Sequence, residues 1–351
     1  MYIIIAILIF GILIAVHELG HFLAAKSAGV KVNEFSIGMG PGIFKKQGKE
    51  TLYSLRLLPI GGYCAIEGEN DDSDDERSMG KKPLLARLFI LFAGSMMNFI
   101  AGFLIVLVIV SASPYYATLQ LGGFMDGFPQ QEGQELMAGD RIVAVDGHNV
   151  HLVSDFNLHM DRRTNPETVD LEVIRDGQRV LLDDLPLVLR EYEDNGKVSM
   201  KYGLYFTAEP RTFFGIFRQA WYHSVYFVEM VWMGLGDIVT GRASLNQMSG
   251  VVGAVAAIGE AGAKSPTIFE GIINVFYLGA FIAVNLSVMN LLPIPGLDGG
   301  HIFTMIVVAA ITKITGRKPN PKIEAYIHAA GLLLLLALMA VLLVSDVAKL
   351  I

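Results

Sequence analysis

Two histidines and a glutamate near the start of the chain have the spacing of a metal site. Residues 17–21 are His-Glu-Leu-Gly-His, an H-E-x-x-H motif. Positions four residues apart share one face of a helix, so His17 and His21 can both reach one metal ion. Two imidazoles at this spacing suit Zn²⁺, and Glu18 is placed to act as general base for a water molecule at the metal. The motif therefore predicts metal-dependent hydrolysis.

The motif lies within an apolar segment. Residues 2–16 carry no charged side chain, and residues 22–25 continue the apolar run. An H-E-x-x-H match arises by chance in many soluble chains, but a charged group at membrane depth costs roughly 2.5–3.5 kcal/mol on insertion scales and is functional by default. Three ionisable residues within this short motif therefore favour a catalytic site in the membrane or at its edge.

The composition excludes several classes of protein. Of the 351 residues, 53% are hydrophobic, which is typical of a multi-span membrane protein with a soluble insert. The formal net charge of −7 indicates no basic surface for nucleic acid. Cys64 is the single cysteine, so no intrachain disulfide can form and metal ligands must come from His, Asp and Glu. We expect the first apolar run to be a retained span and not a signal peptide, because it lacks a basic leader and a small-residue cleavage site.

Hydropathy predicts four transmembrane helices. They cover about residues 2–25, 84–111, 268–292 and 323–344, and each is long enough for a hydrocarbon core about 30 Å thick. Lys26 and Lys31 follow the first span and no charge precedes it, so the positive-inside rule places the N-terminus outside the cytoplasm. The C-terminus then also lies outside. In the second span, small residues precede Asn98, and this polar group fits either a helix-packing notch or a catalytic role.

Residues 30–82 have the pattern of a cytoplasmic loop with β-structure. Glycines separate short β-type runs between residues 30 and 67, which indicates hairpins. The loop is basic yet keeps apolar faces, so we expect it to associate with the membrane, where protein or a cavity covers its backbone. A plain surface hairpin is the alternative. The acidic residues between 67 and 76 predict a solvated, flexible loop.

The segment between the second and third spans has three parts. Residues 113–210 alternate β-type runs with turns, and two Asp-Gly pairs follow strand patterns, so they predict one small domain, which the topology places on the extracytoplasmic side. In residues 212–240, apolar side chains recur at three- and four-residue steps, which indicates an interfacial amphipathic helix. Residues 249–262 are rich in small residues and predict a close-packed turn at the membrane edge.

A further candidate ligand follows the third span. Residues 290–300 contain two prolines and three glycines, which break the helix near the edge of the bilayer and leave Asp298 at or near membrane depth. A carboxylate would complete a His₂Asp set that leaves one position of zinc open. Basic residues between 313 and 322 place this end on the cytoplasmic side, the side predicted for the histidine pair. A helix cap is the alternative role for Asp298.

Together these motifs are similar to those of the site-2 protease family of intramembrane zinc metalloproteases, and most closely to its bacterial RseP-type members. Residues 17–21 match the first family motif, and residues 290–299 match the full N-x-x-P-x-P-x-L-D-G motif. Residues 56–63 resemble the family's membrane-associated β-loop, and residues 139–147 resemble the core of a PDZ domain. The chain departs from the family at residues 94–95 and 249–251, where Gly-Pro and Ser-Gly-Pro are common, and it has one PDZ-like domain instead of two.

The resemblance implies a fold and a set of site residues. The fold is a polytopic α-helical membrane protein with four transmembrane helices, a membrane-associated β-hairpin region and an inserted extracytoplasmic PDZ-like α+β domain. The implied ligands of one Zn²⁺ per chain are His17, His21 and Asp298. Glu18 would be the catalytic base, and Asn285 and Asn290 would help to hold an extended substrate.

The resemblance also implies a function and its partners. A monomer in the bacterial cytoplasmic membrane would hydrolyse peptide bonds within the transmembrane segments of single-span proteins, either anti-sigma factors after a first cleavage or remnant signal peptides. Lipid would surround it and no nucleic acid would bind. A strand edge in the β-loop could receive the unwound substrate by β-augmentation. The residues predicted for that edge are Thr51, Leu52, Tyr53, Ser54 and Leu55.

The predicted segments divide the chain as follows: 1–29, the first span with the zinc motif; 30–82, the β-loop and acidic loop; 83–112, the second span; 113–210, the PDZ-like domain; 211–266, the interfacial helix and small-residue turn; 267–322, the third span with the Asp motif and a cytoplasmic loop; and 323–351, the fourth span. Two other functions compete with proteolysis. A non-catalytic membrane adaptor would not need Glu18 or Asp298, and a metal transporter would need several polar spans.

Overall fold

The computed structural model describes residues 1–69, 73–129, 136–194, 196–242, 250–317 and 319–350. The chain forms two compact units, one from residues 1–106 and 227–351 and the other from residues 107–226. The helices are α1 (Tyr2–Ser27), α2 (Leu84–Ala112), α3 (Val153–Asp161), α4 (Phe213–Val239), α5 (Val251–Ala263), α6 (Ile268–Asn290), α7 (Asp298–Thr315) and α8 (Pro321–Leu350). The strands are β1 (Val32–Gln47), β2 (Leu52–Ile66), β3 (Tyr115–Phe124), β4 (Arg141–Val145), β5 (His148–Asn149), β6 (Val169–Arg175), β7 (Gln178–Leu185), β8 (Arg190–Asp194), β9 (Lys197–Lys201) and β10 (Leu204–Pro210).

Four helices in the first unit have the length and hydropathy of membrane spans. Within the described residues these are α1, α2, α6 and α8, and they coincide with the four predicted spans to within a few residues at most ends. An uninterrupted apolar sequence satisfies its backbone only as a helix in hydrocarbon, which is why hydropathy predicted them well. The chain is therefore a multi-pass membrane protein.

Two connecting segments contain helices that were not predicted, and for residues 249–262 the prediction of a turn is wrong. The segment after the third span contains the helix α7, which starts at Asp298 and ends at Thr315, and its C-cap residue Gly316 has a φ of +69°. The predicted small-residue turn is the helix α5, although Ser249 lies outside the described residues. Its glycines permit close packing without ending the helix, because a Cβ at Gly259 would lie 2.7 Å from the Ile3 side chain on α1.

The predicted hairpin is confirmed and has a double register. Residues 34–37 of β1 stand opposite residues 62–65 of β2 on one side and opposite residues 52–55 on the other. Residues 44–47 also stand opposite residues 52–55. The two strands therefore fold back into four short segments. Segments 34–37 and 52–55 lie inside, and segments 44–47 and 62–65 form the two edges.

Helices α1 and α2 approach closely through small residues. A Cβ added at Gly20 would lie 2.4 Å from the carbonyl oxygen of Ala93, and one added at Gly94 would lie 2.3 Å from Nε2 of His21. Small residues of the two spans therefore allow close contact between these helices. Ala24 and Ala25 of α1, together with Ile90 and Leu91 of α2, continue this contact into a buried apolar cluster.

The second unit is built on an antiparallel sheet with strand order β10-β3-β4-β6-β7, and β5 pairs with β4. Its core includes Leu121, Ile142 and Leu171 from the sheet and Phe156 from α3. Asp146 and Asp176, which precede glycines at the two predicted turns, have φ values of 45° and 50°. The predicted α+β insert and both Asp-Gly turns are confirmed. Strands β8 and β9 form a separate hairpin.

Helix α4 confirms the predicted amphipathic helix. It is not among the helices apolar enough to span a membrane. Its buried positions include Ala220, Phe227 and Val231. Large side chains are exposed along its length: Phe213, Phe214, Phe217, Trp221, Val225 and Trp232. Such a stripe is typical of a helix lying at a membrane interface.

Candidate metal centre and active site

Three side-chain atoms from α1 and α7 converge in the first unit. Nε2 of His17 and Nε2 of His21 are 3.1 Å apart. Oδ2 of Asp298 lies 3.2 Å from the former and 3.3 Å from the latter. Both imidazoles are buried, although Asp298 follows them by more than 270 positions in the sequence. The fold therefore brings together the three residues that the sequence motifs suggested as ligands.

The three donor atoms fit one face of a zinc tetrahedron. Ligand bonds of about 2.0–2.1 Å in tetrahedral geometry require ligand atoms separated by about 3.3 Å. Within the described part of the chain, the buried Oδ2 of Asp298 accepts no hydrogen bond, which is the condition expected of an atom that serves a metal. Two imidazole nitrogens and one carboxylate oxygen are also a donor set that zinc prefers, and it leaves the fourth position open.

The arrangement of α2 fixes His21. Nδ1 of His21 lies 2.9 Å from the carbonyl oxygen of Ile90, and a carbonyl can only accept. The proton therefore sits on Nδ1, and the lone pair of Nε2 is free for a metal. Gly94 is necessary for this placement, because a Cβ there would collide with the ring.

Asp298 is positioned by a tight loop between α6 and α7. A Cβ at Gly299 would lie 2.3 Å from the Leu291 carbonyl group, and one at Gly300 would lie 2.2 Å from the carbonyl oxygen of Ile294. The glycines of the motif thus let the start of α7 press against the loop. Within the described residues, Leu297 and not Asp298 occupies the N-cap position of α7. The helix-cap alternative for Asp298 therefore has no support.

One residue of α8 also holds this loop. The backbone N–H of Gly296, whose φ is +96°, donates to Nδ1 of His328 over 3.3 Å. Nε2 of His328 lies 3.3 Å from Oγ1 of Thr304, which donates to the carbonyl oxygen of Gly300. The His328 ring also stacks on His301, with ring centroids 3.7 Å apart. Sequence analysis missed His328, because a single histidine in an apolar span carries no spacing signal.

Glu18 faces the outer edge of the β1–β2 hairpin. A Cβ at Gly62 would lie 3.5 Å from Cγ of Glu18. The Glu18 carboxylate is also within hydrogen-bonding reach of the Cys64 backbone. The candidate base therefore lies beside segment 62–65, which is paired on one side only within the described residues.

The prediction of a free strand edge in residues 51–55 is wrong. Segment 52–55 is paired on both sides, so its backbone has no free donors and acceptors for another strand. The buried hydroxyl of Thr51 donates to the carbonyl oxygen of Val32, and that of Ser54 donates to Glu34. Leu52, Tyr53 and Leu55 lie in the same inner segment. The alternating pattern of a strand does not reveal which neighbours it acquires, because pairing is decided by the tertiary fold.

The two asparagines of the third span lie on α6. Asn285 and Asn290 are both half-buried, and neither side chain makes a hydrogen bond to another described residue. Asn290 is the last residue of α6, next to the Leu291 carbonyl against which Gly299 packs. It is thus close along the chain to the loop that carries Asp298, whereas Asn285 lies more than one turn earlier.

Glu69 is a site-facing residue that the sequence did not reveal. It belongs to the acidic segment predicted to be solvated, of which Asp71 and Asp72 lie outside the described residues. Burial, opposed by the charge of His21 and assisted by the charges of Asp298 and Glu18, raises the pKa of Glu69 to about 7. Glu69 in the acidic segment is therefore close enough to the candidate site to interact electrostatically with its charged groups.

Comparisons with known proteins agree with this site. The family model described as Peptidase family M50 matches residues 5–338. A relative from Clostridium perfringens, named as a zinc metalloprotease, is 37% identical over 350 residues, which cover 99% of this chain and 98% of the relative. The regulator of sigma-W protease RasP from Bacillus subtilis is 27% identical, with 98% of this chain and 97% of the relative covered.

A third relative, the zinc metalloprotease RasP from Geobacillus kaustophilus, is 24% identical, with 98% of this chain and 97% of the relative covered. These matches run through the apolar spans and through the inserted domain alike. The chain therefore belongs to peptidase family M50, the site-2 protease family, and is a zinc metalloprotease.

Proposed function

We propose that this protein cleaves single-span membrane proteins within their transmembrane segments. The observation that carries the proposal is the convergence of His17, His21 and Asp298 at the end of the apolar helix α1. Anti-sigma factors left by a first cleavage, or remnant signal peptides, are the substrates of choice. One relative is named for regulation of sigma-W, which favours the first class.

The reaction follows from the positions of the side chains. His17, His21 and Asp298 would hold one zinc ion, which would supply Lewis acidity to polarise the scissile carbonyl and to lower the pKa of water. Glu18 lies one residue from His17 and takes the proton of the attacking water. It then gives that proton to the leaving amide nitrogen as the C–N bond breaks. The products are one new carboxylate and one new amine.

Segment 62–65 of β2 is proposed to receive the unwound substrate. Its outer side is unpaired in the described structure, and Glu18 lies against it. An added strand gains main-chain hydrogen bonds that replace those lost when a substrate helix unwinds. Asn285 and Asn290 are proposed to hold the other side of the extended chain through their amide groups.

The inserted domain is proposed to be PDZ-like and extracytoplasmic. Its residues 139–147 run through β4 into an Asp-Gly turn, and the basic residues of the chain favour the cytoplasmic ends of the spans. On the extracytoplasmic side, the inserted domain would exclude bulky ectodomains from the active site. A monomer in the bacterial cytoplasmic membrane, with both termini outside, completes the proposal.

Zinc content tests the ligand set. Asp298→Ala removes one of three ligands, so purified protein should lose both zinc and cleavage of a model single-span substrate. Asn290→Ala removes no ligand and should retain zinc while turnover falls. Full zinc occupancy in Asp298→Ala would place the third ligand elsewhere.

Cross-linking tests the substrate edge. In a Glu18→Gln, Cys64→Ser background, Ala65→Cys should form a disulfide with a cysteine near the scissile bond of a bound substrate. Leu55→Cys, on the inner segment 52–55, is the matched control and should remain uncoupled. Efficient coupling at Leu55→Cys with none at Ala65→Cys would refute the edge assignment.

Sidedness and exclusion are tested separately. On the Cys64→Ser background, Asn149→Cys should react with an impermeant thiol reagent from outside, whereas Lys49→Cys should react only after permeabilisation.

Tyr115 and Pro210 stand opposite each other in the β3–β10 pair, so a short linker can replace residues 116–209. That deletion should permit cleavage of substrates with intact ectodomains. Continued failure to cut them, with truncated substrates still cut, would contradict the exclusion role.

A further inference from the structure

The amide of Asn98 on α2 has an unusual environment. The residue is 1% exposed, and its Oδ1 has no hydrogen-bond partner in the described part of the chain. Its Nδ2 lies 3.5 Å from Nδ1 of His17, which is a long contact. A buried carbonyl oxygen without a partner calls for a physical explanation, because such groups are rare in folded proteins.

The ring of His17 supplies that explanation. Nε2 of His17 is the atom that faces His21 and Asp298, so a metal there requires the lone pair of Nε2 and leaves the proton on Nδ1. An Nδ1–H group needs an acceptor, and the amide nitrogen of Asn98 cannot accept. Rotating the amide by half a turn exchanges its oxygen and nitrogen, which have nearly the same shape. Oδ1 then faces Nδ1–H, and the orphaned atom acquires its partner.

His21 shows the same arrangement with a backbone group. Its Nδ1 faces the carbonyl oxygen of Ile90, also on α2. The two histidines are thus both directed by acceptors from α2, one from the main chain and one from a side chain. His17 meets Asn98 and the later His21 meets the earlier Ile90, as expected of two helices that run antiparallel.

We propose that Asn98 is a positioning residue for His17: its Oδ1 accepts the Nδ1–H of the ring and fixes the tautomer that presents Nε2 to zinc. This inference rests on the proposed role of His17 as a ligand. Asn98 faces Nδ1 of His17, whereas Nε2 is the atom proposed to bind zinc, so Asn98 acts through His17. Removing an acceptor of this kind weakens metal binding by about 10–100-fold.

Zinc affinity of the full-length protein in detergent, measured by competition with a chelator, tests the proposal. Asn98→Leu keeps the volume and removes both polar atoms, so zinc binding should weaken at least tenfold. Asn98→Asp can accept but cannot donate, so it should bind zinc within about threefold of wild type, as an aspartate orienting a zinc-bound histidine does. Ser95→Ala removes another buried and unpartnered polar atom of α2 and should leave zinc affinity unchanged.

Each alternative has a different outcome. If Asn98 only fills a packing notch, Asn98→Leu will bind zinc as wild type does, and the proposal is overturned. If Asn98 binds substrate, KM will rise with zinc affinity unchanged, and the proposal is again overturned. Should Asn98→Leu fail to fold, Asn98→Asp decides, because a donor role for Asn98 predicts a loss of ten-fold or more there.

His17→Ala separates this inference from the ligand assignment. If His17→Ala retains full zinc affinity, His17 is not a ligand, and the assignment fails together with the inference. If His17→Ala loses zinc while Asn98→Leu binds normally, the assignment stands and only the role of Asn98 is refuted.

Discussion

Helices α1 and α8 have nearly the same hydropathy, and both are long enough to cross a membrane. In the most apolar 18-residue stretch of α1, one third of the residues are buried in the protein, whereas none are buried in the corresponding stretch of α8. Helix α1 buries Ala6 and Leu13 among apolar residues of α5 and α6, and it presents two histidines to the site. Equal hydropathy thus accompanies two different relations to the rest of the protein.

Helix α8 meets the protein through its polar and small residues. Asp346 is 1% exposed and accepts hydrogen bonds from the backbone N–H groups of Gly250 and Gly253 at the start of α5. Gly331 lies so close to Pro295 that a Cβ would approach its carbonyl oxygen to 2.2 Å. Most leucines of α8 are exposed, whereas Leu335 and Leu342 are half-buried. Exposed leucines suit a membrane helix, because lipid tails are as apolar as a protein interior and leave polar and small groups to drive helix contact.

The largest expected difference between these helices concerns the reaction. Glu18→Gln on α1 removes the proposed proton acceptor but none of the proposed zinc ligands, so cleavage should fall below a few per cent of wild type with zinc retained. Glu324→Gln in the first turn of α8 is the matched control and should leave both unchanged. Turnover and metal content of the purified variants provide the measurement. Substantial cleavage by Glu18→Gln would remove α1 from the chemistry.

Truncation of one leucine to alanine on each helix tests the difference in burial between α1 and α8. Leu13→Ala on α1 leaves a cavity at a site 2% exposed and should destabilise the protein by about 2–5 kcal/mol. Leu334→Ala on α8 changes a side chain 65% exposed, so the free energy of unfolding should change by less than about 0.5 kcal/mol. Unfolding in mixed micelles compares the two. Equal losses would mean that a partner buries α8.

The close approach of α1 to α2 is tested with a single methyl group. Gly20→Ala forces a Cβ against the Ala93 carbonyl oxygen, and such overpacking should cost about 1–3 kcal/mol and weaken zinc binding. Gly234→Ala on α4 is the control, since a Cβ there meets nothing within 4 Å. It should raise stability by about 0.5–1 kcal/mol through helix propensity. Wild-type zinc affinity in Gly20→Ala would show that the contact is not needed.

The smallest expected effect concerns the one ring by which α8 reaches the Asp298 loop. His328→Leu removes the acceptor for the Gly296 N–H and should weaken zinc binding roughly two- to tenfold, since a neutral hydrogen bond contributes about 0.5–1.5 kcal/mol. His328→Asn keeps an acceptor near the position of Nδ1 and should recover most of that loss. Chelator competition measures both variants. Identical losses in the two would indicate that ring stacking on His301, and not the hydrogen bond, holds the loop.

The sequence alone determined those features that depend on near neighbours in the chain. The pair His17 and His21 shares a helix face because of the helical period, whatever the fold around it. The four spans follow from uninterrupted apolar runs, and the two Asp-Gly turns follow from backbone conformations that glycine permits. These features were predicted with nearly correct bounds, since local physics suffices for each.

The structure of the motif at residues 290–299 could be predicted only in part from the sequence. Its prolines and glycines showed that the third span ends there, and the resemblance suggested that Asp298 is a ligand. The backbone contacts of Gly299 and Gly300 explain why those positions are glycine. No local pattern predicted that the chain would restart as α7, because a short polar-capped apolar run fits a loop or a helix equally well.

Only the tertiary structure decided which groups meet. It placed Oδ2 of Asp298 within 3.3 Å of both imidazole nitrogens, put segment 52–55 inside the sheet, and left segment 62–65 at the edge beside Glu18. It also brought Asn98 to His17 and His328 to the Asp298 loop. Helical period and hydropathy act over a few residues, whereas strand pairing and helix contact join segments distant in the chain. Their geometry therefore depends on packing that no single stretch of this sequence specifies.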